Sequence, residues 1–120
     1  MTPDRTLLAV GAVLAALGVA LGAFGAHALR ATLDETRLGW WQTGVQYHLW
    51  HAVALVAIAA VPLGGMRGPA WLLALGILIF SGSLYVMALS GQRWLGAVTP
   101  LGGLCFIVGW LWLAWRALRG

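Results

Sequence analysis

The 120-residue chain contains no lysine, a single cysteine and only three carboxylates. One cysteine, Cys105, excludes an internal disulfide and a multi-cysteine metal knuckle. The carboxylates are Asp4, Asp34 and Glu35, all outside the long apolar runs. The intramembrane Asp or Glu on which pumps and transporters commonly rely is therefore missing, which weakens proton-coupled transport as a reading. Charged residues make up 8% of the chain and hydrophobic ones 62%, with a mean hydropathy of +0.90, outside the range of ordinary soluble domains. The formal charge of +4 rests on arginines dealt out singly to the ends of apolar segments. A phosphate backbone wants basic residues clustered on one face, so nucleic acid is not an expected partner.

What is present is apolar sequence in four lengths. Uninterrupted windows run over 7–29, about 43–61, 70–89 and about 96–115. Each approaches the roughly 20 residues that a helix needs to cross about 30 Å of hydrocarbon. Arg30 to Arg37, then Pro62 to Pro69, then Gly91 to Arg93 punctuate them. The expected fold is all-α: a single transmembrane domain over residues 1–120, a four-helix bundle made of two helical hairpins with short loops and surrounded by lipid. Arg5, Arg67, Arg116 and Arg119 fall at one end of the hairpins and Arg30, Arg37 and Arg93 at the other, so the positive-inside rule places both termini in the cytoplasm. Six tryptophans mark the span limits, Trp40, Trp41 and Trp94 at the far end and Trp71, Trp112 and Trp115 at the terminal end, where indoles settle at headgroup level. Trp50 and Trp110 sit deeper.

In the first segment Gly11, Ala15, Gly18, Gly22 and Gly25 draw a side-chain-poor stripe along one helical face. Glycine costs helix propensity unless another backbone packs against it, so the stripe is read as a packing seam within the bundle. The alternative is a homo-oligomer formed through this first helix.

Polar side chains gather in one half of the membrane. Counted from the far end at about 1.5 Å per residue, His27 lies about 3 Å deep, His48 and Tyr85 about 7 Å, Ser83 about 10 Å, His51 about 12 Å, and Ser81 and Cys105 about 13 Å. Such groups are expensive in hydrocarbon and normally face a protein interior. A polar pocket in the outer half is expected, built from His27, Gln46, Tyr47, His48, His51, Ser81, Ser83 and Tyr85. The first expectation for its histidines is structural hydrogen bonding, with Thr99 a further partner. The alternatives are a metal site on His27, His48 and His51, a haem held by two histidines, and a proton relay. Nucleophilic chemistry by Cys105, Ser81 or Ser83 beside His51 is disfavoured: lone cysteines in apolar helices are usually small hydrophobes and membrane serines usually bond back to the preceding turn. No cofactor and no enzymatic activity is expected. The role expected instead is assembly, lipid contact or small-solute binding.

The runs G-A-F-G-A-H at Gly22 to His27, T-G-V-Q-Y-H-L-W-H at Thr43 to His51, F-S-G-S-L-Y at Phe80 to Tyr85 and T-P-L-G-G at Thr99 to Gly103 resemble the YgdD family of small inner-membrane proteins. The resemblance covers nearly the whole chain. It implies four helices and a bacterial plasma (inner) membrane location. It brings no substrate, reaction or cofactor, because the family is described as a domain of unknown function.

Overall fold

The computed structural model describes residues 3–119, and every regular element among them is helical. Four helices follow in order: α1 (Arg5–Leu29), α2 (Glu35–Ala60), α3 (Arg67–Ser90) and α4 (Arg93–Arg119). α1 starts where the Asp4 carboxylate accepts from the Leu7 N–H at 3.0 Å, an N-cap that satisfies one of the helix's free donors. Asp34 does the same for α2, accepting from the Arg37 N–H at 2.8 Å. That cap is why α2 begins at Glu35, well before the apolar window that opens near Thr43: its first turns are helical but polar, and hydropathy alone does not register them. α3 ends at Gly91, whose φ of 74° is a left-handed stop that favours glycine. α4 opens with a 3-10 turn over Arg93–Ala97 and becomes α-helical at Thr99.

α1, α3 and α4, with 25, 24 and 27 residues, are each long and apolar enough to cross a bilayer. α2, with 26 residues, matches them in length, but Gln42, Gln46, His48 and His51 lower its hydropathy and it falls outside that set.

The helices do not close on one another evenly. α2 and α3 form the centre, α1 packs on α2, and α4 packs on α3, while α1 and α4 stand on opposite flanks. The molecule measures 48 × 26 × 16 Å along its principal axes. The four helices thus form a flattened, open arrangement.

Its two ends differ in charge and in ties. At the terminal end the Asp4 N–H donates to the Ala59 carbonyl at 3.0 Å, Arg67 pairs with Asp4 at 2.5 Å, and Arg116 donates to the Gly65 carbonyl at 3.1 Å. At the far end Arg37 donates through Nε to Ala88 O at 2.6 Å and through Nη2 to Leu89 O at 2.7 Å. Those carbonyls lie in the last turn of α3, where they have no helical partner and a cation is favoured by the helix dipole. The larger apolar core lies toward the terminal end, around Leu7, Leu55, Leu73, Ile77 and Phe106. A smaller one lies around Leu29, Trp41 and Ala88 at the far end.

Both α1 and α3 widen into a single π-helical turn, at Gly25–Leu29 and Ile77–Ser81. Each turn sits at a tertiary contact. Leu21 O, just before the first, accepts from the Trp41 indole N–H at 2.9 Å as well as from the Gly25 N–H. The second lies where Gly102 of α4 rests directly on the backbone of Phe80, so closely that a Cβ there would collide with main-chain atoms.

Candidate functional site

The small-residue face of α1 is filled by α2 of the same chain. Gly11 faces Val56 and Leu55, Gly18 faces Leu49 and His48, Gly22 faces Val45, and Gly25 faces the Trp41 indole. Ala15 lies half-buried in the same line. At Gly18 a Cβ would stand 2.6 Å from Leu49 Cδ2. This approach brings the α1 backbone within reach of the α2 histidines.

His48 is buried and bridges three helices. Its Nε2 lies 2.7 Å from the Leu14 carbonyl of α1, and its Nδ1 lies 2.8 Å from the Tyr85 hydroxyl of α3. A carbonyl only accepts, so Nε2 carries the proton; the neutral ring then accepts at Nδ1, and Tyr85 donates. The chain of bonds therefore runs from Tyr85 O–H to His48 and from His48 Nε2–H to Leu14 O. Tyr85 is held from the side by the Trp41 ring, 4.7 Å between centroids.

His51, also buried, has the opposite tautomer. The Trp110 indole N–H, which is a donor only, points to His51 Nε2 at 3.0 Å. Nε2 is therefore the acceptor, and Nδ1–H donates back along α2 to Tyr47 O at 2.8 Å. The imidazole stacks on Phe106 with centroids 3.7 Å apart and planes 13° from parallel. Tyr47 lies nearly parallel to it at 6.2 Å between centroids and packs at a tilt of 50° on Phe80, 4.6 Å away. Together with Trp110 these rings line a lateral groove of about 380 Å³ between α2, α3 and α4.

The serines of α3 are tied into the helix contacts. Ser81 is fully buried and donates to Gly44 O of α2 at 2.7 Å, while Ser83 lies 2.6 Å from the Thr99 hydroxyl of α4 and donates to Phe80 O at 2.9 Å.

The eight residues expected to line one pocket do not share a cavity. His48 and Tyr85 form one bridge, His51 and Tyr47 belong to the aromatic groove, and Ser81 and Ser83 serve two further helix contacts. His27 and Gln46 are exposed on the outer surface. The depth count orders them along the helices and carries no information about the direction around each axis. His27, inside the widened turn of α1, is turned away from His48 and His51. Among the described residues no three His, Cys, Asp or Glu side chains come together in a way that could hold a metal ion. Sequence reasoning missed Trp110 as the partner of His51 and the carbonyls of Leu14 and Gly44. A signal for Trp110 was available: it lies too deep for an interface anchor, so its N–H needs an internal acceptor.

Residues 21–103 match the family model described as "Protein of unknown function (DUF423)". The chain belongs to this family. Its relatives include the "UPF0382 membrane protein YwdK" of Bacillus subtilis, 40% identical over 96% of this chain and 98% of the relative. They also include the "UPF0382 inner membrane protein YgdD" of Escherichia coli K12, 40% identical over 97% of this chain and 92% of the relative. No solved structure matches the chain. Family membership and the three long apolar helices agree that this is a membrane protein of an uncharacterised family.

Proposed function

We propose that the chain is one transmembrane domain of four crossings, forming an open helical bundle in the bacterial inner membrane with both termini cytoplasmic. Its work is non-enzymatic, done by holding lipid or neighbouring membrane components rather than by transforming a substrate. α2 is the fourth crossing, turning His48 and His51 inward to α1, α3 and α4 while Gln42 and Gln46 stay on its outer face. The arginine bias toward the terminal end supports the orientation.

The observation that carries the non-catalytic reading is the engagement of every ring nitrogen of His48 and His51 in bonds between or along helices. A metal-ligating histidine needs a free lone pair, which neither ring has to spare, and a relay needs exchangeable partners on both nitrogens, whereas each ring ends on a backbone carbonyl. Polar groups satisfied in this way hold helices in register where hydrocarbon offers no alternative partner.

Elemental analysis of detergent-purified protein, wild type beside His48→Ala and His51→Ala, tests this together with an absorbance scan. The expected result is no stoichiometric metal in any of the three and no haem Soret band. A metal present at one equivalent in the wild type and lost from the variants would establish metal handling by the histidines instead.

A further inference from the structure

The outer surface between α1 and α2 carries an arrangement that the helix contacts do not use. A cleft of about 330 Å³ opens there toward the far end. Its floor is Gly22, Gly25 and Ala26; Arg30 stands at its mouth, and Gln42 and Gln46 line its α2 wall. The two glutamines are four positions apart and so share a helix face, with Gln46 about 6 Å deeper than Gln42. Both are exposed, and neither amide takes part in a side-chain hydrogen bond among the described residues. The neighbouring Trp41 indole spends its N–H on Leu21 O. Arg30 forms no ion pair among the described residues, and no carboxylate lines the cleft.

An unpartnered amide at membrane depth is costly, so an occupant that brings acceptors is called for. That occupant must be anionic at the level of Arg30 and must offer neutral acceptors further in, beside Gln42 and Gln46. We propose that this cleft binds a glycerophospholipid, with its phosphate on the Arg30 guanidinium and its ester carbonyls accepting from the amide N–H groups of Gln42 and Gln46. A free phosphate ion satisfies the first condition but does not descend beside apolar helices to the second. A second copy of the chain is the other candidate. In a two-fold dimer seated on this cleft each surface meets itself, which sets Arg30 against Arg30 with no acid between them. The proposal rests on the four-crossing reading, because that reading puts Gln46 below the headgroups.

Delipidated protein in maltoside detergent, titrated with palmitoyl-oleoyl phosphatidylglycerol and followed by native mass spectrometry, provides the test. Wild type is expected to retain one lipid per chain, and both Arg30→Gln and the Gln42→Leu, Gln46→Leu pair to weaken retention about tenfold or more, the loss expected for hydrogen bonds to a charged or polar headgroup. Ala26→Trp, which fills the floor while leaving Arg30, Gln42 and Gln46 in place, is expected to abolish retention as well. All of these positions are exposed, so the melting temperature in lipid-free detergent should stay at the wild-type value. Equal retention by wild type and variants would overturn the lipid site. So would disulfide dimers from Gln46→Cys in a Cys105→Ser background, which would seat a second copy on the cleft. Free labelling of Gln46→Cys in membranes by a water-soluble maleimide would instead overturn the four-crossing reading, whereas protection of that cysteine alongside unaltered lipid retention would defeat the lipid site alone.

Discussion

The His48 bridge offers the sharpest quantitative prediction, because one side chain joins α1, α2 and α3. Tyr85→Phe keeps the ring against Trp41 and removes only the hydroxyl that donates to His48 Nδ1. Hydrogen bonds between membrane helices average about 0.6 kcal/mol in double-mutant cycles and reach about 1.7. This one is short, at 2.8 Å, and a buried acceptor stays behind unpaired, so the expected loss is about 1–2 kcal/mol. His48→Ala removes the bonds to both Tyr85 and Leu14 O, orphans the Tyr85 hydroxyl and leaves a void beside Gly18. The expected cost is about 3 kcal/mol, with the cavity and the lost bonds contributing comparably. The double variant should be less damaging than the sum of the two by about 1 kcal/mol, since the Tyr85–His48 bond can be lost only once. Unfolding in mixed micelles at increasing dodecyl sulfate fraction, followed by far-ultraviolet circular dichroism, gives all four free energies. Additivity within about 0.3 kcal/mol would refute the bridge.

Other substitutions probe separate parts of the molecule in the same assay. Trp110→Phe removes the indole donor to His51 Nε2 and should cost about 1 kcal/mol, while the aromatic groove keeps its stacking; no change would mean that His51 is satisfied otherwise. Gly18→Val forces branched carbons into Leu49 and should separate α1 from α2 at a cost of about 2–3 kcal/mol, seen as a lowered melting temperature. Gly102→Ala meets the backbone of Phe80 rather than a movable side chain and should be at least as damaging, about 2–3 kcal/mol, though the added group is only a methyl. Arg37→Gln strips the cap from Ala88 O and Leu89 O at a partly exposed site, so about 1 kcal/mol is expected, with increased hydrogen exchange at the end of α3.

Much of the fold was legible because lipid imposes simple rules. Apolar length marked four segments, and three of them are helices long and apolar enough to cross a bilayer; glycine and proline marked the connections. The spacing from Gly11 to Gly25 marked the face of α1 that α2 covers. α2 was harder to place because its first turns are polar and its wall mixes Gln42 and Gln46 with residues that turn inward. Helical depth follows from counting, but azimuth follows from the whole set of neighbours. That is why His27 and His51, both read into one pocket, ended on different faces. The π-helical turns at Gly25–Leu29 and Ile77–Ser81 have no signature in composition. They sit where a tertiary partner intrudes, at Trp41 in one case and at Gly102 in the other. Trp110 illustrates the converse: its unusual depth announced an internal acceptor, and His51 Nε2 is that acceptor.

In the proposed topology α2 crosses the membrane despite its polar residues, leaving both termini on the cytoplasmic side. Single cysteines at Asp34 and at Gly64, in a Cys105→Ser background, test it most directly through a membrane-impermeant maleimide applied to spheroplasts and to inverted vesicles. Labelling of Asp34→Cys is expected only in spheroplasts and of Gly64→Cys only in inverted vesicles. Both positions reacting from the same side would contradict it.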